Sequence, residues 1–345
     1  MAGPLQITYR FLIPCLLFNL FFAQEKWNYS ADEMDQIKVN GQTIRRLKEN
    51  VRFVKIDQVI LTDHAVQYTK DDILYMNGNT IMINGLDTLT CDSMVYWSEL
   101  DSGYAIGKVR YIQPKNSRSL TTEIFHYWQT EGFRGSSFIT KGYTRITEPD
   151  QLITANKISY DDDKQTMTLT VNASVENPTR GIFGDEIIIQ YADSLIEEIN
   201  VTTGAFAYND LNVRIEKNGP YRQFRDEMSS KEMIAHFRDD DITKLELMHM
   251  ATTSYHVISD SLLAGKNEAS GDSIHIDFTD GDIKRIQVAG GALGEFKPEG
   301  NNTKIDTTVF YGADYLDYHI NDERTILFKD AYVEYQSTIL SAGEI

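Results

Sequence analysis

LTDHAVQY (61–68), LTCDSMVY (89–96), LTTEIFHY (120–127) and ITANKISY (153–160) decide the fold when set under one another. Each opens on Leu or Ile followed by Thr, and each closes on a tyrosine. The tyrosines lie 28, 31 and 33 residues apart. A looser fifth copy, IFGDEIIIQY, ends at Tyr191 after another 31. KEMIAHF, SGDSIHIDF and YGADYLDY continue the series to Phe237, Phe278 and Tyr318. Self-similarity at a fixed period is the mark of an array of supersecondary units.

The residues after each aromatic recur in kind as well. A polar, acidic turn comes within a few positions, as in KDD (70–72), SELDSG (98–103), DDDK (161–164) and TDGD (279–282). Such residues favour turns because they bond locally or accept positive φ. A second run then reaches a small residue: Gly78, Gly107, Gly142, Ala173, Gly204, Ala251, Gly290 or Ala331. Inside the runs the period is two. Met167, Leu169, Val171, Ala173 and Val175 alternate with Thr166, Thr168, Thr170, Asn172 and Ser174, and Ile274, Ile276 and Phe278 alternate with Ser273, His275 and Asp277. Alternate residues of a strand face opposite sides, so each run has an apolar and a polar face. The unit is strand, acidic turn, strand, small residue, strand. One buried aromatic per unit contributes roughly 1.5–3 kcal/mol. The only helical candidates are 30–40 and 223–232.

The rest of the chain bounds the class. It has 345 residues, 41% hydrophobic and 24% charged, with 19 tyrosines, 16 phenylalanines and 7 prolines, which is a globular composition rich in strand formers. A net charge of −18 argues against a nucleic-acid partner, since phosphates are held by Lys and Arg. Residues 1–23 carry Arg10 as their one charge, followed by an apolar run from Phe11 to Phe22. That run is too short for a bilayer and suits a secretory signal peptide cleaved after Ala23. Cleavage leaves a charge of −19 and removes Cys15, so Cys91 has no partner for an intramolecular disulfide. Pro14 before Cys15 does not suit a lipoprotein signal. Residues 209–230, with Asn-Gly-Pro at 218–220, break the rhythm and read as a linker or crossover. TILSAGEI (338–345) aligns with QLITANKI (151–158) without the aromatic expected next, so the chain is expected to continue beyond Ile345.

LTCDSMVY with AIGKVRYI, and ITANKISY with VNASVEN, resemble the OstA-like domain of the lipopolysaccharide-transport family. The resemblance covers about 45–208, and 228–345 more loosely, through spacing and residue type. It implies an all-β fold of repeated antiparallel strands, a twisted, partly open β-jelly roll in two consecutive copies. The expected division is signal peptide 1–23, first jelly roll 24–210, linker or crossover 211–230 and second jelly roll 231–345, truncated at its end. The resemblance further implies a non-enzymatic, periplasmic protein whose apolar interior carries lipid A acyl chains. Lipopolysaccharide and other OstA-like proteins, added at the edge strands, are the implied partners, and a missing C-terminal sequence would link the chain to the outer membrane. Met167, Leu169, Val171, Val175, Ile274 and Ile276 are then the lipid-facing candidates.

Basic residues cluster in 108–145 (Lys108, Arg110, Lys115, Arg118, Arg134, Lys141 and Arg145 against Glu123 and Glu131) and in 38–55. Lys108, Arg110, Arg118, Arg134 and Arg145 are the candidates for lipid phosphates or an acidic partner edge. The seven histidines show no metal-ligand spacing, the Asp-rich turns lack the Gly-Asp repeats of a calcium β-roll, and no cofactor is expected. No nucleophile elbow, Walker-A loop or dinucleotide fingerprint occurs, and the acidic pairs sit in turns, as a glycosidase dyad does not. The alternative is a secreted β-solenoid adhesin or scaffold whose interior is filled by its own side chains. A polysaccharide-active β-helix would need carboxylates stacked on one strand face, and the alternation provides none.

Overall fold

The structure is a computed structural model that describes residues 27–129, 136–192, 195–239, 241–259, 261–279, 282–299, 305–320 and 324–345. The expected signal peptide, its cleavage site and Cys15 lie outside these residues, as do Glu131 and Arg134.

The described residues form 24 β-strands and one 3₁₀ turn, Pro114–Asn116. The strands run in chain order from β1 (Asn28–Ser30) and β2 (Glu33–Val39) to β24 (Thr338–Glu344), almost every neighbour antiparallel. The lone parallel bridge among the described residues is Arg214 with Leu262. The fold is all-β, a twisted, partly open β-jelly roll.

A crease crossed by the longer strands divides the sheet into two walls. Some strands break there: β9 (Ser136–Lys141) and β10 (Thr144–Thr147), β11 (Leu152–Ala155) and β12 (Lys157–Asp161), β15 (Leu195–Thr203) and β16 (Ala205–Arg214), β17 (Tyr221–Ser230) and β18 (Glu232–Arg238). Others bend without breaking. In these, one strand carries one more residue than its partner, as between Asn77 and Thr80 in β5 (Ile73–Asn84) or Ala289 and Ala292 in β21 (Asp282–Pro298). The slipped pairs take positive φ, as in Gly78–Asn79 and Gly107–Lys108. This is a bulge that turns the strand through a corner.

The crease explains the small residues, which fall into two kinds. Gly78, Gly107, Gly142, Gly204 and Gly290 stand on the outside of the corner at positive φ. Ala173, Ala251 and Ala331 come two positions later and point into the fold with 0–2% exposure. Inside the crease, Val51, Thr62, Thr80, Cys91 and Thr144 give way along the stack to Ala155, Ala173, Ala205, Ala251, Ala292 and Ala331. Facing most outer corners stands an acidic residue of the neighbouring strand, with Asn156 and Lys231 in that place at the Val171 and His249 corners. A Cβ on Gly78 would come 2.5 Å from Asp63, and one on Gly107 or Gly142 would strike Asp92 or Glu123. Asp32, hydrogen-bonded by Asn50 at 2.6 Å, Asp185 and Asp272 occupy the same column.

Three expectations change. Residues 223–232 and 30–40 are strand rather than helix, because their polar runs continue existing ladders. The 211–230 stretch is the end of β16, a turn and β17, paired from Ala205↔Ser230 to Arg214↔Tyr221, so it forms a hairpin within an unbroken sheet. Tyr68 does not occupy the interior place of the other repeat tyrosines. Counted from the corner acid, that place falls to Gln67, 5% exposed, while Tyr68 packs outside on Tyr75 at 5.5 Å.

Candidate functional site

The interior is one apolar cluster that changes character halfway along. One inward-facing row crosses the strands as Tyr96, Gly103, Tyr127, Phe138, Tyr160 and Met167, then continues as Ile189, Ile199, Ala235, Leu245, Ile276 and Ile286. The first part is filled by rings in contact. Phe125 lies 5.8 Å from Tyr111, 5.7 Å from Tyr127 and 5.6 Å from Phe138. Phe138 touches Tyr160 at 5.8 Å, and Tyr160 meets Tyr191 edge-on at 6.3 Å. Trp27 covers the near end against Phe53 and Tyr96, its Nε1 donating to Ser98 Oγ at 2.9 Å.

Beyond Tyr191 the walls part around a cavity of about 1620 Å³. Tyr96, Tyr127 and Tyr160 stand four residues after Asp92, Glu123 and Asn156, whereas Tyr191, Phe237 and Phe278 stand six after Asp185, Lys231 and Asp272. Two residues move a side chain about 6.6 Å along a strand while keeping its face. The ring therefore moves out to the rim, and Ile189, Ala235 or Ile276 takes its place. Three of the strands around it are also longer. Those from β4 (Gln58–Tyr68) to β8 (Arg118–Gln129) have 11 or 12 residues, while β19 (Asp241–Ser259), β20 (Leu262–Thr279) and β21 have 19, 18 and 17. Deeper walls over a crease of alanines enclose more space.

The cavity is lined mainly from β13 (Thr166–Glu176) to β23 (Arg324–Tyr335), on the order of 40 Å at about 4.8 Å per strand spacing, with Gln151 and Ile345 touching its two ends. Its wall is mostly aliphatic and aromatic, with Ile199, Ala235, Ala269, Val288 and Leu316 deep and Phe237, Phe278 and Tyr318 lining it too. A polar strip crosses one wall. Tyr311 Oη donates to Asn267 Oδ1 at 2.8 Å, and Asn267 Nδ2 donates to Tyr255 Oη at 3.0 Å. Burial pushes the Tyr311 phenol up to about 12, so it stays a neutral donor. The described ionisable lining groups other than tyrosines are Glu176, Arg180, Asp226 and His256. Asp226 accepts from the His256 backbone N–H and meets its Nδ1, both at 2.8 Å, while burial raises its carboxyl above the usual range. The lining is thus an apolar surface crossed by one polar strip, with the Asp226–His256 pair on it. Among the described residues no three His, Cys, Asp or Glu side chains gather to hold a metal ion. Burial pushes the Cys91 thiol to about 12, which leaves it inert at neutral pH.

Of the six lipid-facing candidates, Val175 lines the cavity. Met167, Leu169, Ile274 and Ile276 are packed in the core, 0–6% exposed, and are not among its lining residues. Val171 is a correction. The corner bulge gives it a φ of +66° and turns it outward, 54% exposed, since the one extra residue there breaks the alternation. The basic candidates lie elsewhere. Lys108 sits on an outer corner. Arg110 and Arg145 flank Thr121 in one outer row, and Arg118 is paired with Glu148 at 2.7 Å. None of these lines the cavity. Its lining residues Ala235, Ala269, Asn267 and Tyr255 escaped the sequence reading, although the change from four to six residues between corner residue and aromatic at Tyr191, Phe237 and Phe278 marks the region, with Tyr318 at four as the exception.

No protein-family model matches the chain, and no curated protein matches it. Among solved structures it is similar to LptH from Pseudomonas aeruginosa, described as the LptA homologous periplasmic component of the conserved lipopolysaccharide transport device. The identity is 10%, the match covers 50% of this chain and 81% of that one, and the TM-score is 0.18, a likeness too low to argue from.

Proposed function

We propose that the chain is a non-enzymatic lipid-binding protein of the periplasm. It carries or bridges lipopolysaccharide or a similar glycolipid towards the outer membrane, with the acyl chains held between its two walls. The observation that carries this reading is the long apolar cavity of about 1620 Å³, larger than the roughly 300–1,000 Å³ of a pocket for a compact small molecule. Its volume is spread over many strands, the shape of a flexible chain. Hydrocarbon enters such a space with about 0.8 kcal/mol per methylene. Partner proteins of the same fold would add at the terminal strands, whose backbone groups invite pairing. The secreted-scaffold alternative calls for an interior filled throughout, which the cavity counts against.

The test is photocrosslinking of lipopolysaccharide to protein carrying a photoreactive residue at Ala269 or Phe278. Crosslinking well above that from Thr168, whose ladder place faces away from the interior, is expected. Equal yields from all three positions would overturn the reading.

A further inference from the structure

The aromatic ladder ends where the cavity begins. Tyr191 pairs with Ile196 across β14 (Arg180–Ala192) and β15, and Ile196 is a lining residue. Behind Tyr191 stands Tyr160, then Phe138 and Phe125, each ring in contact with the next. Burial raises the phenols of Tyr191 and Tyr160, so both stay neutral. A hydrocarbon chain lying along the stack meets rings rather than further groove when it reaches β13 and β14. We infer that Tyr160 and Tyr191 form the end wall of the compartment along the strand stack and set the longest acyl chain it accepts. The protein is thus a one-ended holder, filled and emptied through its C-terminal half, and the N-terminal half is a stop. The inference rests on the lipid reading above and assigns specificity to residues outside the cavity lining.

Ala235 provides the reciprocal evidence. It occupies the inward row that Tyr127 and Tyr160 occupy in the first half, and it lines the cavity at 0% exposure to solvent. A tyrosine there would build the wall further along and shorten the compartment.

The experiment titrates the delipidated full chain with saturated fatty acids of increasing length and reads affinity by calorimetry. In the unsubstituted protein affinity rises about fourfold per methylene until the compartment is filled, then levels off. Tyr160→Leu with Tyr191→Leu moves the plateau to longer chains, and Ala235→Tyr moves it to shorter ones. Tyr160→Phe with Tyr191→Phe leaves it in place, because the rings remain. A plateau unmoved by both the leucine pair and Ala235→Tyr, in variants that keep the native thermal transition, overturns the end wall. Should the leucine pair fail to fold, Ala235→Tyr alone decides. Absence of binding at every length defeats the lipid reading itself, whereas binding with an unmoved plateau defeats only the ruler.

Discussion

The two halves share one way of bending a sheet and differ in what they put inside it. In both, a positive-φ corner faces an acidic side chain and a small residue lies under the crease. In the N-terminal half, short strands end on a ring and the rings fill the space between the walls. In the C-terminal half, Tyr191, Phe237 and Phe278 stand two residues further out, Tyr318 alone keeps the four-residue spacing from Asp314, and the space stays open. The backbone architecture is therefore independent of whether the interior is solid. A shift of two residues in one side chain per strand is enough to convert a packed core into a container.

The sharpest test of that contrast is to remove one ring from each half. Phe125, 4% exposed and touching three other rings, is replaced with alanine at a cost of about 3–5 kcal/mol, the transfer and cavity terms of a close-packed site. Phe278 borders existing empty space, so Phe278→Ala loses only part of its burial, about 1.5 kcal/mol or less. Urea unfolding midpoints check both. Equal losses would mean that the second half is as tightly filled as the first.

The first of these halves was the more legible in sequence, and the reason is physical. Its strands obey a strict alternation and end on the aromatic, so LTCDSMVY and ITANKISY display the repeat, the face and the turn together. The all-β class and the recurring unit come from that. Bulges were not legible, because a corner made by Val171–Asn172 or His249–Met250 carries no glycine to betray it. The one-residue bulge puts Val171 and Asn172 in left-handed backbone between inward Leu169 and inward Ala173, so the odd-numbered pattern reads as continuous while Val171 itself faces out. The same shortfall placed Tyr68 inside, where the ladder puts Gln67. The cavity was hidden for another reason. Emptiness is set by what stands opposite, and Ala235 or Ala269 reads in sequence as any small core residue. Nor do the basic clusters belong to it, since Arg110 and Arg145 occupy the outward positions of their strands.

Because the corner is common to both halves, its substitutions should not distinguish them. Gly107 has φ +79° against Asp92, and Gly290 has φ +79° against Asp272. Gly107→Ala and Gly290→Ala each lose about 1–3 kcal/mol, from left-handed backbone strain plus displacement of the carboxylate. Gly291, at φ +75° with open space where a Cβ would go, isolates the backbone part, about 1–2 kcal/mol. Thermal unfolding of the three variants measures the difference. If Gly107→Ala were tolerated while Gly290→Ala was not, the corners would be unlike and the shared architecture would fail.

The smallest expected effect concerns the outer surface, where each half carries an arginine–carboxylate pair of different quality. Arg285 holds Asp317 through two bonds of 2.7 and 2.6 Å, with His319 Nε2 3.3 Å from the same carboxylate, and the Asp317 residue is 7% exposed. The Arg285 guanidinium holds the Asp317 carboxyl below the usual range, and His319 adds to this. Arg118 and Glu148 make one 2.7 Å contact near the surface. A depressed folded-state pKa stabilises the protein above the unfolded value of about 3.9, and that contribution disappears as pH falls through the folded value. Asp317→Asn should therefore cost about 1 kcal/mol at neutral pH, and its deficit should shrink below about pH 4. Arg118→Ala should change stability by under about 0.5 kcal/mol. Unfolding midpoints measured from neutral pH down to pH 3 provide the check. A deficit for Asp317→Asn that stays constant with pH would show that packing of the side chain, rather than its charge, is what that wall uses. The two halves would then differ in their interiors alone.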